Sequence, residues 1–374
     1  MLYEIHMLKN YPPTNLNRDD SGAPKTCVFG GTTRGRISSQ CLKRSWRTSE
    51  LFRNEVGEDN LGIRTRKLPD LVADKLTELG VQPDYVEAVK PKITGFGNKD
   101  GKENKEERTS QVIFFAPQDI DAVAAAVKDI LSDCKSKKDV EKLKAKDLQS
   151  AVKDANIRPV TLDIALFGRM VTSDAFRDVD ASMQVAHAIS TNKITTESDY
   201  FTAMDDLMNG TETSDKGAAM VGDIDFNASC YYIYAAIDTD ILMQNLSFTD
   251  SADVIIKKTV PALIRAMAFT NPSGKQNSFA GHVLPSAVLV ECKNQKVPTS
   301  LVNAYVKPVG TADPVEESVK RLADEADMVS RNYGLQVENR FWFSVDKYKI
   351  NPSCEASICS TFSDLVNAVA STMN

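Results

Sequence analysis

Seven cations lie between residues 21 and 54, namely Lys25, Arg34, Arg36, Lys43, Arg44, Arg47 and Arg53, against one acid, Glu50. The whole chain carries a formal net charge of −6. Such a local reversal is what an anion-binding surface looks like, because phosphate affinity follows the local field and not the sum over the protein. Within the run, Cys27, Val28 and Phe29 before Gly30 and Gly31 predict a strand ending in a turn, and Ser38 or Ser39 is the expected N-cap of a helix starting near Gln40. Lys43, Arg44 and Arg47 then fall in early turns, near the positive end of the helix dipole, with like charges at i,i+3 and i,i+4. Two readings stay open. Helix amides, the Ser38 and Ser39 hydroxyls, the Gln40 amide and three cations would make a phosphate cradle, or the run is a solvated basic face with Leu42 and Trp46 packed inward.

Other groups offer less chemistry. Asp19 and Asp20 are an acidic pair beside the basic run, able to hold a metal or activate a nucleophile if two carboxylates converge, or else to form a turn by bonding their own backbone. His6, His187 and His282 lack a second ligand at metal-binding spacing and read as core or surface residues. The seven cysteines are dispersed without a C-x-x-C pair, so reduced thiols are expected and neither a disulfide framework nor a zinc site is indicated. Gly30 and Gly31 are not followed by G-K-[ST], and G-x-G at residues 95–97 lacks the rest of a dinucleotide fingerprint. No cofactor or metal is expected.

The elements that must position these residues follow from pattern. With 374 residues, 42% hydrophobic and 26% charged, the chain exceeds one ordinary core, so two or more modules are expected. No apolar run would span a bilayer and the first eight residues alternate like a strand, so the expected location is cytoplasmic, with no membrane partner. Tyr3, Ile5 and Met7 predict the inner face of a first strand, stopped by Pro12 and Pro13. Residues 68–79 and 119–155 have helical apolar spacing, separated by a charged loop at 95–108 that is expected to be mobile. A strand at 185–189 leads into a polar segment, 191–226, read as a protruding hairpin or arm. Strands at 230–237 and 283–290 flank a helix at about 252–269. This order predicts an α+β class, an elaborated ferredoxin-like fold with a helical insertion.

Several segments match one family. They are L-N-R-D-D at 16–20, F-G-G-x-x-R-x-R-I-S-S-Q-x-L-K-R at 29–44 and D-I-A-L-F-G-R-M-V-T-S at 163–173. Further along come A-H-A-I-S-T at 186–191, Y-F-T-A-M-D-D-L at 200–207 and G-K-Q-N-S-F-A at 274–280. In these segments the chain resembles the Cascade backbone subunits (CasC) of type I-E CRISPR surveillance complexes, within the RAMP superfamily. The match is looser in the charged loop and after about residue 290.

That resemblance implies an RRM-like palm (1–58, 181–194 and 224–374), inserted helical fingers (59–180) and a thumb hairpin (195–223). It implies a non-catalytic subunit that stacks with copies of itself along a CRISPR RNA (crRNA) guide, presenting it in segments for pairing with target DNA in antiviral defence. Partners would include large, small and guide-end-capping subunits, with a recruited helicase-nuclease acting on the assembly. By motif position Arg18, Lys25, Arg34, Ser38, Gln40, Lys43, Arg44 and Arg47 would hold RNA, while Arg169 and Met170 would lie against bases, Met170 as a wedge. The bland reading of Met170 is core packing. Tyr200, Phe201 and Thr202 would belong to the thumb, and Lys275 and Gln276 would be lesser RNA contacts. Thr32 and Thr33 stand where the family commonly has basic residues, so they are not counted as contacts. The alternative is a guide-dependent endoribonuclease resembling type III backbones, with Asp19 or Asp20 as the catalytic loop aspartate.

Overall fold

The computed structural model describes residues 1–154, 160–203, 220–310 and 312–373. Its first strand, β1 (Leu2–Thr14), is buried on both faces, since Glu4, His6 and Leu8 are as inaccessible as Tyr3, Ile5 and Met7. One-sided alternation was expected; a strand inside a covered sheet has no solvent face. Nor do the prolines stop it. Pro12 and Pro13 lie beyond the ladder to β7 (Ala287–Lys293), which ends at Leu8 opposite Ala287, so they remove no hydrogen bond from that ladder.

The chain divides into two compact units, each described by itself. The first comprises Met1–Phe52, Val185–Ile237 and Val260–Asn374. Its other strands are β2 (Thr26–Phe29), β3 (Thr32–Ile37), β4 (Ala188–Ser190), β5 (Glu197–Ala203), β6 (Met220–Asp238), β8 (Asn339–Ser344) and β9 (Ser357–Ile358). The strand order is β9-β8-β7-β1-β6-β4-β3-β2, with β5 paired to β6 off this path. One face is closed by the helix Pro314–Tyr333, which Asp313 caps through Val315 N and Glu316 N and Gly334 ends at φ 62°. Its Val315, Val319 and Leu322 share a core with Leu8, Tyr232, Leu289 and Trp342. One buried cluster balances its charges: Lys293 Nζ reaches Glu4 at 2.5 Å and Glu291 at 2.7 Å, and Arg340 reaches Glu291 at 2.6 Å. His6 is a core residue, its Nδ1 2.8 Å from Tyr232 Oη, and burial holds its pKa below the ordinary imidazole range.

The second unit comprises Arg53–Gln184 and Asp238–Thr259. It is built on the helices Leu68–Glu78, Pro83–Ile93, Pro117–Ser132, Lys137–Glu141 and Ala145–Asp154, whose Leu76, Val89, Val123, Val127 and Leu148 form its core. The helical run expected at 119–155 is therefore three helices, and residue 155 lies outside the described residues. The expected mobile loop starts as packed structure. Gly95, Phe96 and Gly97 are buried, and Gln149 Nε2 donates to Gly95 O at 2.8 Å. Its charged remainder is tied by Lys92 to Glu103 at 2.9 Å and by Arg66 to Glu106 at 2.8 Å.

The helix Ala252–Phe269 matches its expected bounds. All seven cysteines are free thiols. Among the described residues no helix is long and apolar enough to cross a membrane.

Candidate nucleic-acid interface

The basic run folds as a hairpin followed by a helix. Gly30 (φ 58°) and Gly31 (φ 74°) form the two-residue turn joining β2 to β3, whose strands pair from Phe29 and Thr32 to Thr26 and Gly35. Gly30 has a second reason to be glycine, because a Cβ there would stand 1.8 Å from Val306 O. The strand β3 was not expected, since T-T-R-G-R-I has little apolar alternation; it forms because the turn folds it back on β2. Helix α1 (Ser39–Arg47) follows, N-capped by Ser38, whose hydroxyl accepts from Cys41 N. Leu42 and Trp46 are buried beneath it.

Because α1 ends at Arg47, Arg44 and Arg47 lie in its last turn, where the dipole favours cations. The expected dipole penalty on early-turn cations does not apply to them. The i,i+4 proximity of Lys43 and Arg47 remains. The start of α1 is fixed by the L-N-R-D-D segment: Asn17 Oδ1 accepts from Ser38 N at 2.8 Å, and Asn17 O accepts from Lys25 N at 2.8 Å. Asp19 is a turn former, its Oδ1 accepting from Ser21 N, Ser21 Oγ and Ala23 N, and the Ser21 hydroxyl first among these holds its carboxyl below the usual range. Asp20 is exposed beside it.

Lys25, Arg36, Lys43 and His187 meet on this surface. Arg36 Nη1 lies 3.1 Å from His187 Nδ1, and Arg36, Lys25 and Lys43 all act on that imidazole. Arg18, Gln40 and Arg44 are exposed around them, and Lys25, Lys43 and Arg47 are half-buried. Arg53 belongs to the other unit, where it pairs with Glu58 at 2.8 Å. Arg36 entered the sequence reading only as one of the seven cations, and His187 only as a core or surface histidine. Their meeting was not read: they lie in two matched segments, R-x-R and A-H-A, which strand pairing of Arg36 with Ile189 and Ile37 with Ala188 brings side by side.

Three expected contacts need correction. Arg34 is fully buried, donating through Nε to Thr32 Oγ1, through Nη1 to Ser190 O and Thr191 O, and through Nη2 to Tyr305 O and Val306 O, so it has nothing left for a phosphate. Ser38 is 7% exposed, with its hydroxyl serving as the helix cap. Arg169 is buried as well: Nη1 reaches Asp119 Oδ2 at 2.5 Å and Phe114 O at 3.2 Å, and Nε donates to Arg177 O. It is a structural ion pair of the second unit and not a base contact.

Met170, its neighbour, is 93% exposed, which excludes the core-packing reading. The bridge between Arg169 and Val179 turns alternate side chains to opposite sides, Arg169 inward and Met170 outward. In the arm, β5 pairs with β6 from Glu197 opposite Phe226 to Ala203 opposite Met220. Tyr200 is 67% exposed and Thr202 exposed, whereas Phe201 lies over Gly222 across the ladder. The expected thumb also takes in residues 204–219, which lie outside the described residues. Gln276 closes its own loop, Nε2 donating to Pro272 O at 2.8 Å, and Lys275 caps the short helix Gln276–Phe279 at φ 50°.

The family model described as CT1975-like protein matches residues 3–368. Among solved structures, the chain is similar to one from a CRISPR RNA-guided surveillance complex, pre-nicking, with TM-score 0.82, 26% identity and 100% of both chains covered. It is also similar in fold to a chain of a CRISPR RNA-guided surveillance complex with TM-score 0.71, 23% identity and 100% of both chains covered. No curated protein sequence matches it.

Proposed function

The chain belongs to the CT1975-like protein family, and from that premise we propose that it is a crRNA-binding subunit of a CRISPR surveillance complex of the Cascade type. The observation that carries this reading is the convergence of Lys25, Arg36, Lys43 and His187 on one surface of a chain whose net charge is −6. Cations on phosphates grip a guide without reading it and leave base edges free to pair with a target.

In this reading copies of the chain stack along the guide in the cytoplasm, alongside other subunits of a type I-E complex, and each presents a segment for pairing with DNA. The folding unit that carries the sheet is an RRM-like palm, the helical unit the fingers, and the β5–β6 ladder the root of the thumb. Met170, a thioether held out in solvent, is suited to wedge against an unstacked base at a segment boundary. In this reading the subunit binds and does not cut; the Asp19 carboxylate is engaged by its own turn, which leaves exposed Asp20 as the aspartate of the alternative, and cleavage of complementary RNA lost on Asp20→Ala would favour that alternative.

The test is the salt dependence of binding to single-stranded RNA. Replacing Lys25 and Lys43 together by alanine is expected to weaken binding uniformly across sequences and to lower the log–log salt slope by about 0.7 for each phosphate no longer neutralised. An unchanged slope would mean that this surface faces something other than RNA. A weakening confined to some sequences would indicate base readout instead.

A further inference from the structure

His187 holds an unused hydrogen-bond donor beside an arginine. It is exposed, just before β4, with Nδ1 3.1 Å from Arg36 Nη1. An arginine only donates, so Nδ1 accepts and the ring proton of the neutral imidazole sits on Nε2. Among the described residues the ring makes no other hydrogen bond. Arg36 is anchored on its other side, Nε donating to Thr26 O at 3.2 Å, which leaves Nη2 unspent. Adjacent strands therefore offer two outward donors side by side. The groups acting on the ring are all cationic: Arg36 of β3, Lys25 ahead of β2 and Lys43 of α1.

We propose that Arg36 and His187 form a proton-linked clamp for an RNA phosphate, in which binding of the phosphate draws a proton from solvent onto His187. The inference rests on the RNA-binding reading above and adds to it a residue and a linkage. Nε2 already carries hydrogen, so the incoming proton bonds to Nδ1. An Nδ1–H can no longer accept, so the hydrogen bond from Arg36 Nη1 breaks and the guanidinium turns both of its outer nitrogens to the phosphate. The phosphate charge compensates the imidazolium formed next to three cations. Before binding, partial burial and then Arg36, Lys25 and Lys43 hold His187 below the ordinary imidazole range, so the free surface carries it neutral. A nearby anion reverses the electrostatic part of that shift. Affinity therefore rises as pH falls through the imidazole range, and is flat above it.

The experiment is fluorescence anisotropy of labelled poly(U) RNA at constant ionic strength, from about pH 8 to about pH 6, with the wild-type chain and His187→Gln. Glutamine keeps an amide donor but cannot titrate. The wild type is expected to gain roughly three- to tenfold in affinity over that range, as one linked proton allows. His187→Gln, whatever its affinity at the upper pH, should show no gain as the pH falls. A gain of equal size in both proteins, or no gain in the wild type, overturns the clamp while leaving RNA binding intact. Absence of binding by the wild type at every pH removes the RNA-binding reading itself, and the clamp with it.

Discussion

Replacing Arg34 by methionine is expected to destabilise the sheet-bearing unit by about 3–5 kcal/mol, although methionine fills most of the same space. The guanidinium is fully buried and is solvated by the Thr32 hydroxyl and by carbonyls of Ser190, Thr191, Tyr305 and Val306. Its removal takes a donor from each of those four main-chain acceptors, of which Thr191 O keeps Val309 N, at the root of the arm on one side and beside the Gly30 turn on the other. Arg34→Lys should recover little, because one ammonium cannot reproduce a planar fork that spans two pairs of carbonyls. Urea unfolding read by the fluorescence of buried Trp46 and Trp342 measures the loss. A cost below about 1 kcal/mol would mean that the carbonyls find other donors, and that Arg34 is not what joins these segments.

Asp119→Ala is expected to cost the helical unit a similar amount, about 3–5 kcal/mol, because it leaves Arg169 as an uncompensated buried charge. The same carboxylate oxygen accepts from Ala116 N at 2.9 Å, so the start of the helix Pro117–Ser132 is deprived of its capping interaction as well. The pair borders a cavity of about 330 Å³ that is also lined by Lys153, Phe176 and Arg177. Adding Arg169→Met to Asp119→Ala should return part of the loss, since the stranded charge is then gone. That positive coupling in a double-mutant cycle is the mark of a paired buried charge. Additive losses would instead assign each residue an independent role.

These two arginines also show where sequence stops being legible. Arg34 and Arg36 stand two apart on one strand and were equivalent by period; only tertiary depth separates a buried strut from a half-exposed donor. Arg169 and Met170 are the same lesson in reverse, the charge inside and the thioether outside. Local chemistry read well by comparison. The Gly30–Gly31 turn, the Ser38 cap and the helix at 252–269 are set by residues within a few positions of one another, and each was legible. The C-terminal limit of α1 was not, because the stop lies in Thr48, a weak signal whose backbone N–H and hydroxyl both return to Arg44 O. That one boundary changed the electrostatic argument for Arg44 and Arg47. The meeting of Arg36 with His187 depends on strands 151 residues apart, which no local pattern encodes.

The central claim is that RNA lies on the surface formed by Lys25, Arg36, Lys43 and His187, and lysine acylation with and without bound RNA tests it most directly. Mass spectrometry of the labelled protein should find Lys25 and Lys43 protected when single-stranded RNA of any sequence is bound, while Lys320 and Lys347, exposed elsewhere on the same unit, keep their reactivity. Unchanged reactivity at Lys25 and Lys43 in a protein that demonstrably holds RNA would place the guide on another surface and contradict the account.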